Sequence, residues 1–347
     1  MLNIISKGQI MAKKIKLSDI GAKLGVSAVT VSKALSGQEG VSDAMREKIR
    51  ALAEEMAYKP PKSYKKNKSY NIGILISEKY FDQTQSFYWQ MYQEVATRAI
   101  SRECFTLLEI VNGDDEKNLV TPRLCEGNKA DGFVVIGSMN PEYLNKLEEN
   151  LTVPYIYLDF YDHKENCDAV VSQNFLGMYW LVNHLIEMGH RKIAYVGTLM
   201  CTNSITDRYF GYCKALLEHS IEARTDYIIN DRVFATGDRL DFKDFKFPKD
   251  MPTAFACNND VTASELVKAL KLKGLSVPGD VSVVGFDNYN FAPSSEVSIT
   301  TFDVDMKDMA KKAINNLIKK MGHESYKNGI IEIPGKIVLK DSVSRLK

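Results

Sequence analysis

No apolar run in this 347-residue sequence approaches the roughly 20 residues that cross a bilayer. The N-terminal MLNIISKGQIMAKKIK has no apolar stretch long enough for a secretory signal, so a cytoplasmic protein without membrane attachment is expected. The six cysteines (104, 125, 167, 201, 213 and 257) form no C-x-x-C pair and show no metal-type spacing with the five histidines. They read as reduced core thiols, with neither metal nor cofactor implied. There is no G-x-S-x-G elbow, no phosphate-cradling glycine loop and no histidine pair at metal spacing. His184 and His190 read as structural. An enzyme is therefore not expected, and no catalytic residue is assigned.

Net charge is also small, only +1, which alone argues against a polyanionic partner. Its distribution argues for one. Residues 1–70 carry 14 Lys and Arg against 6 Asp and Glu, a local +8, whereas the remainder carries 31 against 38, a local −7. A basic segment ahead of an acidic bulk is the pattern of a nucleic-acid-binding unit joined to something else. With 45% hydrophobic residues, the chain has material for two or three domains.

What is present begins with KLSDIGAKLGVSAVTVSKALSG, residues 16–37. Leu17, Ile20 and Leu24 make one helical stripe, and Val31, Ala34 and Leu35 another. Gly25 stands where the first helix must stop in a left-handed conformation. Ser27 follows as an N-cap. The second helix then presents Ala28, Val29, Thr30, Ser32 and Lys33, which are small, hydroxylated or basic and can approach a DNA groove closely. The pattern is a helix-turn-helix and predicts sequence-specific DNA binding. Ser42 caps a third helix whose stripe, Ala44, Ile49, Leu52, Ala53 and Met56, closes a three-helix core over 15–58. Residues 1–14 read as a disordered extension, with Met11 an alternative start. Residues 59–70, KPPKSYKKNKSY, read as a basic hinge.

Beyond residue 70 the pattern alternates. Strands near 71–77, 104–110, 131–138 and 153–160, with helices near 87–101, 116–126 and 141–149, predict a parallel sheet covered on both faces. A second set comprises a helix at 175–188, strand 192–197, helix 206–220, a short strand near 227–230, strand 252–258, helix 261–273 and strand 281–288. A final helix spans 304–321, and the extended 330–343 crosses back between the halves. The expected class is α/β: a three-helix helix-turn-helix domain followed by two doubly wound parallel sheets. The first lobe takes about 71–172 plus part of 289–325; the second takes about 173–288 plus 326–347. Open α/β sheets bind ligands at the carboxyl ends of their strands, so two facing lobes predict a small-molecule cleft.

From residue 15 onward the chain resembles the LacI/GalR type of bacterial transcriptional regulators. The matching segments, in order, are the helix-turn-helix run itself, V-S-D-A-M-R-E-K-I, M-A-Y-K-P, D-G-F-V-V, H-L-I-E-M-G-H-R-K-I-A-Y-V-G, D-R-Y-F-G-Y, C-N-N-D, V-P-G-D-V-S-V-V-G-F-D-N and S-I-T-T-F. The resemblance implies a periplasmic-binding-protein-like effector domain and a homodimer on double-stranded operator DNA. It also implies repressor action, with affinity set by a small effector in the cleft.

In that family the two residues after the V-S of the turn face base edges; here they are Ala28 and Val29. Neither can form a hydrogen bond, so direct reading there is apolar, as with thymine methyls. Lys33 falls at a basic position able to reach guanine or phosphate. Leu17, Thr30, Ser32 and Ser42 match positions near the DNA backbone. The alternative readings are core packing for Val29 and a solvated helix position for Ser32. The hinge departs from the family's Y-x-P-N-x-x-A-x-x-L. Tyr58 and Pro60 are kept, but Pro61, Tyr64 and Asn67 replace the Asn, Ala and the Leu that wedges into the minor groove. Lys62, Lys65, Lys66 and Lys68 would contact phosphates, giving weaker bending and a more salt-dependent affinity. Tyr64 inserting in place of leucine, and a linker without fixed structure, are the rival readings.

For the cleft, the resemblance assigns Arg208 in D-R-Y-F-G-Y, at the opening of a helix, together with three strand-end residues: Asp159, Asn259 and Asp287. Asp260 is expected to cap the following helix, leaving Asn259 as the ligand group. Carboxylates, an amide and a guanidinium suit a polyhydroxylated ligand. Tyr80, Phe81, Phe87, Tyr88 and Trp89 follow the first strand, and flat rings pack against sugar C–H faces; core packing is expected for at least two of them. Trp180 reads as core. A carbohydrate effector is expected, with a purine, a protein corepressor or activator behaviour as alternatives. A solute-binding protein shares two lobes but lacks the DNA unit. The helix near Tyr92, Val95 and Ala99 is a candidate dimer surface.

Overall fold

The structure, a computed structural model, describes residues 15–36, 40–56, 58, 69–80, 87–234, 237–242, 245–289 and 297–346. The expected extension 1–14, most of the hinge including Tyr64, and Phe81 lie outside the described residues. The chain divides into two compact units, 1–68 and 69–347.

In the first unit, α1 (Leu17–Leu24), α2 (Ala28–Ser36) and α3 (Asp43–Glu55) enclose Ile20, Val31, Ala34, Ile49 and Ala53. The turn between α1 and α2 is built as the residues demand. Gly25 adopts φ +65°, and its N–H reaches Gly21 O. Ser27 Oγ accepts from Thr30 N–H at 3.1 Å, which satisfies one of the orphan donors at the start of α2. Ser42 Oγ caps α3 from Met45 N–H at 3.4 Å. One stripe residue needs correction: Ala44 is exposed, and Met45 packs on the core instead. Met45, Ile49, Leu52 and Met56 keep the three-and-four spacing of one helix face, and Ala44 falls off it. Arg46 adds a tie that spacing does not announce. Its Nη1 donates to Lys33 O at 3.4 Å and Ala34 O at 3.1 Å, in the last turn of α2.

The second unit begins with β1 (Asn71–Ser77), α4 (Phe87–Ile100), β2 (Phe105–Val111), α5 (Gly113–Lys117), β3 (Gly132–Ile136), α6 (Pro141–Asn150), β4 (Tyr155–Leu158) and β5 (Ala169–Ser172). It continues with α7 (Asn174–Glu187), β6 (Ile193–Val196), α8 (Asn203–Glu218), β7 (Ile228–Ile229), β8 (Ala254–Cys257), α9 (Asp260–Leu272) and β9 (Ser282–Val284). Last come β10 (Thr301–Asp303), α10 (Met306–Met321), β11 (Ile330–Ile333) and β12 (Lys336–Val338). The first lobe holds a parallel sheet in the order β11-β5-β4-β3-β1-β2, and the second a parallel sheet in the order β7-β6-β8-β9. An antiparallel ribbon, β10-β12, completes the topology. In β1 every residue after Asn71 is buried, as a strand covered on both faces requires.

Four expectations change. The helix expected over 116–126 is the short α5, followed by Asn118 as its C-cap and Leu119 at φ +57°, which turns the chain away. β5 was not expected, because AVVS is too short to show a period. β11 pairs with β5 in the first lobe rather than belonging to the second, so the return crossing falls between β11 and β12. The tail then joins the second lobe, where Val283 N–H bonds Ser342 O at 2.9 Å. Finally, Val95 and Ala99 are fully buried in the first lobe's core and Tyr92 packs against it, so that face of α4 is not a free dimer surface.

Candidate functional site

On α2, the described reading-face residues separate by burial. Ala28, Val29 and Lys33 are exposed, whereas Thr30 and Ser32 are half-buried. Val29 is 65% exposed, which rules out core packing within this unit. Ser27 and Ser42 are exposed N-caps, so their hydroxyls already hold helix N–H groups. Thr30 Oγ1 lies 2.9 Å from Ser27 Oγ. Leu17 is half-buried and packs on the three-helix core. Val29 thus turns an apolar, branched side chain to solvent, with the exposed Lys33 one helical turn further on.

In the second unit a cavity of about 750 Å³ opens at the carboxyl ends of β4, β8 and β9. Tyr80, Phe87, Asp159, Arg208, Asn259 and Asp287 all line it, as do Tyr88, Asp231, Arg232 and Asn258. Arg208 is 4% exposed and sits inside α8 rather than at its opening. Its Nε donates to Asn174 Oδ1 at 2.9 Å and its Nη1 to Asn258 O at 2.5 Å. Nη2 forms an ion pair with Asp287 Oδ1 at 3.2 Å. The guanidinium lies 3.8 Å above the Phe286 ring. Close packing of α7 and α8 makes this reach possible. A Cβ on Gly211 would stand 2.1 Å from Phe175 O.

Asp159 and Asp287 follow β4 and β9 with left-handed backbones, φ +67° and +101°. Such conformations are uncommon outside glycine and concentrate at functional sites. Asp159 Oδ2 accepts from the Tyr88 hydroxyl at 2.9 Å, while its Oδ1 is buried without a partner among the described residues. Burial pushes Asp159 up to about 6, against Arg208 and Tyr88. Burial likewise pushes Asp287 up to about 7, opposed by Arg208 and reinforced by the charge on Asp159.

The expected division of labour between Asn259 and Asp260 is reversed. Asn259 Oδ1 accepts from Thr262 N–H at 2.8 Å and is the N-cap of α9. Its amide nitrogen donates to Asn258 Oδ1 at 2.9 Å, so both ends of the side chain are committed. Asp260, the first helical residue, instead accepts Tyr289 N–H at 2.9 Å and lines the cavity. An extended residue caps better than one already inside the helix, and Asn259 has the extended backbone.

Sequence reasoning missed a second polar cluster. Asp231 is 1% exposed and takes a bidentate contact from Arg232, at 3.0 and 2.6 Å. It also accepts from Thr198 N–H at 2.9 Å, Asn258 Nδ2 at 2.8 Å and Thr262 Oγ1 at 3.0 Å. Burial opposes its ionisation, but these donors hold it down to about 2. Asp231 and Arg232 stand just past β7, so the strand-end rule that selected Asp159 and Asp287 also applies to them. Trp180, expected in the core, is instead exposed and outside the cavity, with its ring 6.2 Å from Phe302, because it falls on the outer face of α7; Trp89 pairs with Tyr92 at 5.3 Å. His190 is buried between Thr253 Oγ1 and Ser344 O, each at 3.1 Å.

A helix-turn-helix and a two-lobed, ligand-cleft fold in one chain define a ligand-responsive DNA-binding regulator. The model for bacterial regulatory proteins of the lacI family matches residues 16–61, and that for the periplasmic binding protein-like domain matches residues 182–343. The HTH-type transcriptional repressor PurR of Aliivibrio salmonicida (strain LFI1238) is 25% identical over 334 residues, covering 95% of this chain and 99% of that repressor. Among solved structures, the complex of the transcriptional regulator CelR with cellobiose has a TM-score of 0.68 at 22% identity, covering 94% of this chain and 99% of that one. The lac repressor dimer bound to operator and the anti-inducer ONPF has a TM-score of 0.64 at 21% identity, covering 96% and 100%. Residues 16–61 thus belong to the LacI family of bacterial regulatory proteins, and the class that the chain matches along nearly its full length is a transcriptional regulator rather than an enzyme. Among the described residues, no helix is long and apolar enough to cross a membrane.

Proposed function

We propose that this chain acts as a cytoplasmic homodimeric repressor that reads an operator through Ala28, Val29 and Lys33. Leu17, Ser27, Thr30, Ser32 and Ser42 position it on the DNA backbone, with Tyr64 as the hinge side chain offered to the minor groove in place of the family's leucine. A carbohydrate in the cavity sets its operator affinity. The observation that carries the effector reading is the union, in one cavity, of buried carboxylates, a clamped guanidinium and the rings of Tyr80, Phe87 and Tyr88. Paired polar groups orient hydroxyls, and flat rings cover C–H faces. The named contacts are Asp159, Arg208 and Asp287, with Tyr80, Phe81 and Phe87 as ring surfaces. Two described relatives support it: one is a cellobiose complex, the other a dimer on its operator.

The test is a gel shift on the DNA flanking the chain's own gene, with and without a panel of mono- and disaccharides. A retarded band on that DNA but not on random DNA, changed by at least one sugar, is the expected result. Binding that is equal on both DNAs sinks the operator reading. Modulation by a purine base and by no sugar sinks the carbohydrate reading.

A further inference from the structure

We infer that the cavity selects an uncharged, hydroxyl-rich ligand and rejects its phosphorylated counterpart; this rests on the carbohydrate reading of the same site. Among the described lining residues, eight are acidic and four basic. Three of the basic groups are held by side chains and carbonyls of the cavity wall, and the charge of the fourth, Arg239, acts on Asp287. Arg208 bonds Asn174 and Asn258 and pairs with Asp287. Arg232 is held along one edge, through Nε and Nη2, by both oxygens of Asp231, and its Nη2 lies 3.3 Å from Asn258 Oδ1. Lys79 Nζ lies 3.4 Å from Glu116 Oε1. A phosphate entering this space would compete for cations that buried carboxylates already hold.

The acceptors point the same way. Asp159 Oδ1 and Asp287 Oδ1 are buried and make no hydrogen bond among the described residues, although Arg208 stands beside the second. A buried acceptor without a donor is costly, so a ligand that brings O–H groups relieves that cost. An ionised phosphate brings acceptors and negative charge into a site already crowded with both. Hydroxyls facing Asp159 and Asp287, with ring faces against Tyr80 and Phe87, use all of these groups together.

Isothermal titration of the full-length protein with matched pairs decides it: glucose and glucose 6-phosphate, ribose and ribose 5-phosphate, cellobiose and cellobiose 6-phosphate. The neutral member of a binding pair is expected to bind about tenfold or more tighter than its phosphate. That ratio should narrow in Asp287→Asn, whose fold is checked by circular dichroism. A phosphate that binds as well as or better than its parent overturns the inference and leaves the carbohydrate reading intact. If no sugar pair binds but adenosine does, the carbohydrate reading fails, and adenosine against adenosine monophosphate decides the charge inference alone. A cavity that takes none of these overturns both.

Discussion

Arg208 Nη2 stands 3.2 Å from Asp287 Oδ1, while the ring of the preceding residue, Phe286, lies 3.8 Å beneath the same guanidinium. The strand end after β9 therefore holds the arginine by charge and by ring face at once, and Asn174 and the Asn258 carbonyl fix its remaining edges. Removing one partner of a buried pair costs about 3–5 kcal/mol, because the other charge stays buried. Arg208→Ala is expected to lower stability by that order in urea unfolding and to abolish effector-induced thermal stabilisation. Arg208→Lys restores charge without the planar fork and should recover only part of either property. Wild-type stability in the alanine variant would show that Arg208 is not a keystone of the cavity.

The two raised carboxyls predict a pH dependence with a definite sign. Asp159 and Asp287 titrate near 6 and 7 in the folded chain, against an ordinary value of 3.8. Between those limits the folded state binds more protons than the unfolded one, so these groups contribute stability below about pH 4 that is lost as pH rises through 7. Burial lowers His190, which works in the opposite direction over the histidine range. The informative quantity is therefore a difference. Asp159→Asn and Asp287→Asn should each lose less stability than wild type between pH 5 and 8 in parallel urea melts. Identical pH slopes in all three proteins would contradict the assignment.

Asp231 behaves differently because its donors are complete. With Arg232, Thr198, Asn258 and Thr262 all directed at it, it stays ionised to about pH 2. Asp231→Ala strands Arg232 in a largely buried position and should destabilise by about 3–5 kcal/mol. The folded carboxyl lies below its ordinary value, so its contribution is present above about pH 4 and disappears as pH falls toward 2. Urea midpoints at pH 7 and pH 3 separate this from a simple packing loss, which would be equal at both.

On the DNA unit, Lys33→Ala is expected to weaken operator binding by about 1–3 kcal/mol if the lysine reads a base. Gel-shift titrations on operator and random DNA distinguish the roles. An equal loss on both assigns Lys33 to phosphate and leaves sequence reading to Ala28, Val29 and DNA shape.

Local features were legible in advance. The left-handed Gly25, the Ser27 and Ser42 caps and the buried β1 all depend on residues a few positions apart, where spacing and side-chain chemistry carry the information. The strand ends also placed Asp159 and Asp287 in the cavity correctly. Asn259 and Asp260 were exchanged because neighbouring residues compete for one capping position and only backbone dihedrals decide between them.

The sequence by itself determined that a helix-turn-helix precedes a two-lobed α/β chain, because periodicity and turn residues act over short distances. Tertiary structure alone decided that β11 joins the first lobe, that Val95 and Ala99 face inward, and that Asp231 serves Arg232, Asn258 and Thr262 together. Arg208 meets Asn174 across 34 positions and Asn258 across 50. Pairings of that separation are set by how whole helices and sheets pack, and no residue spacing encodes them.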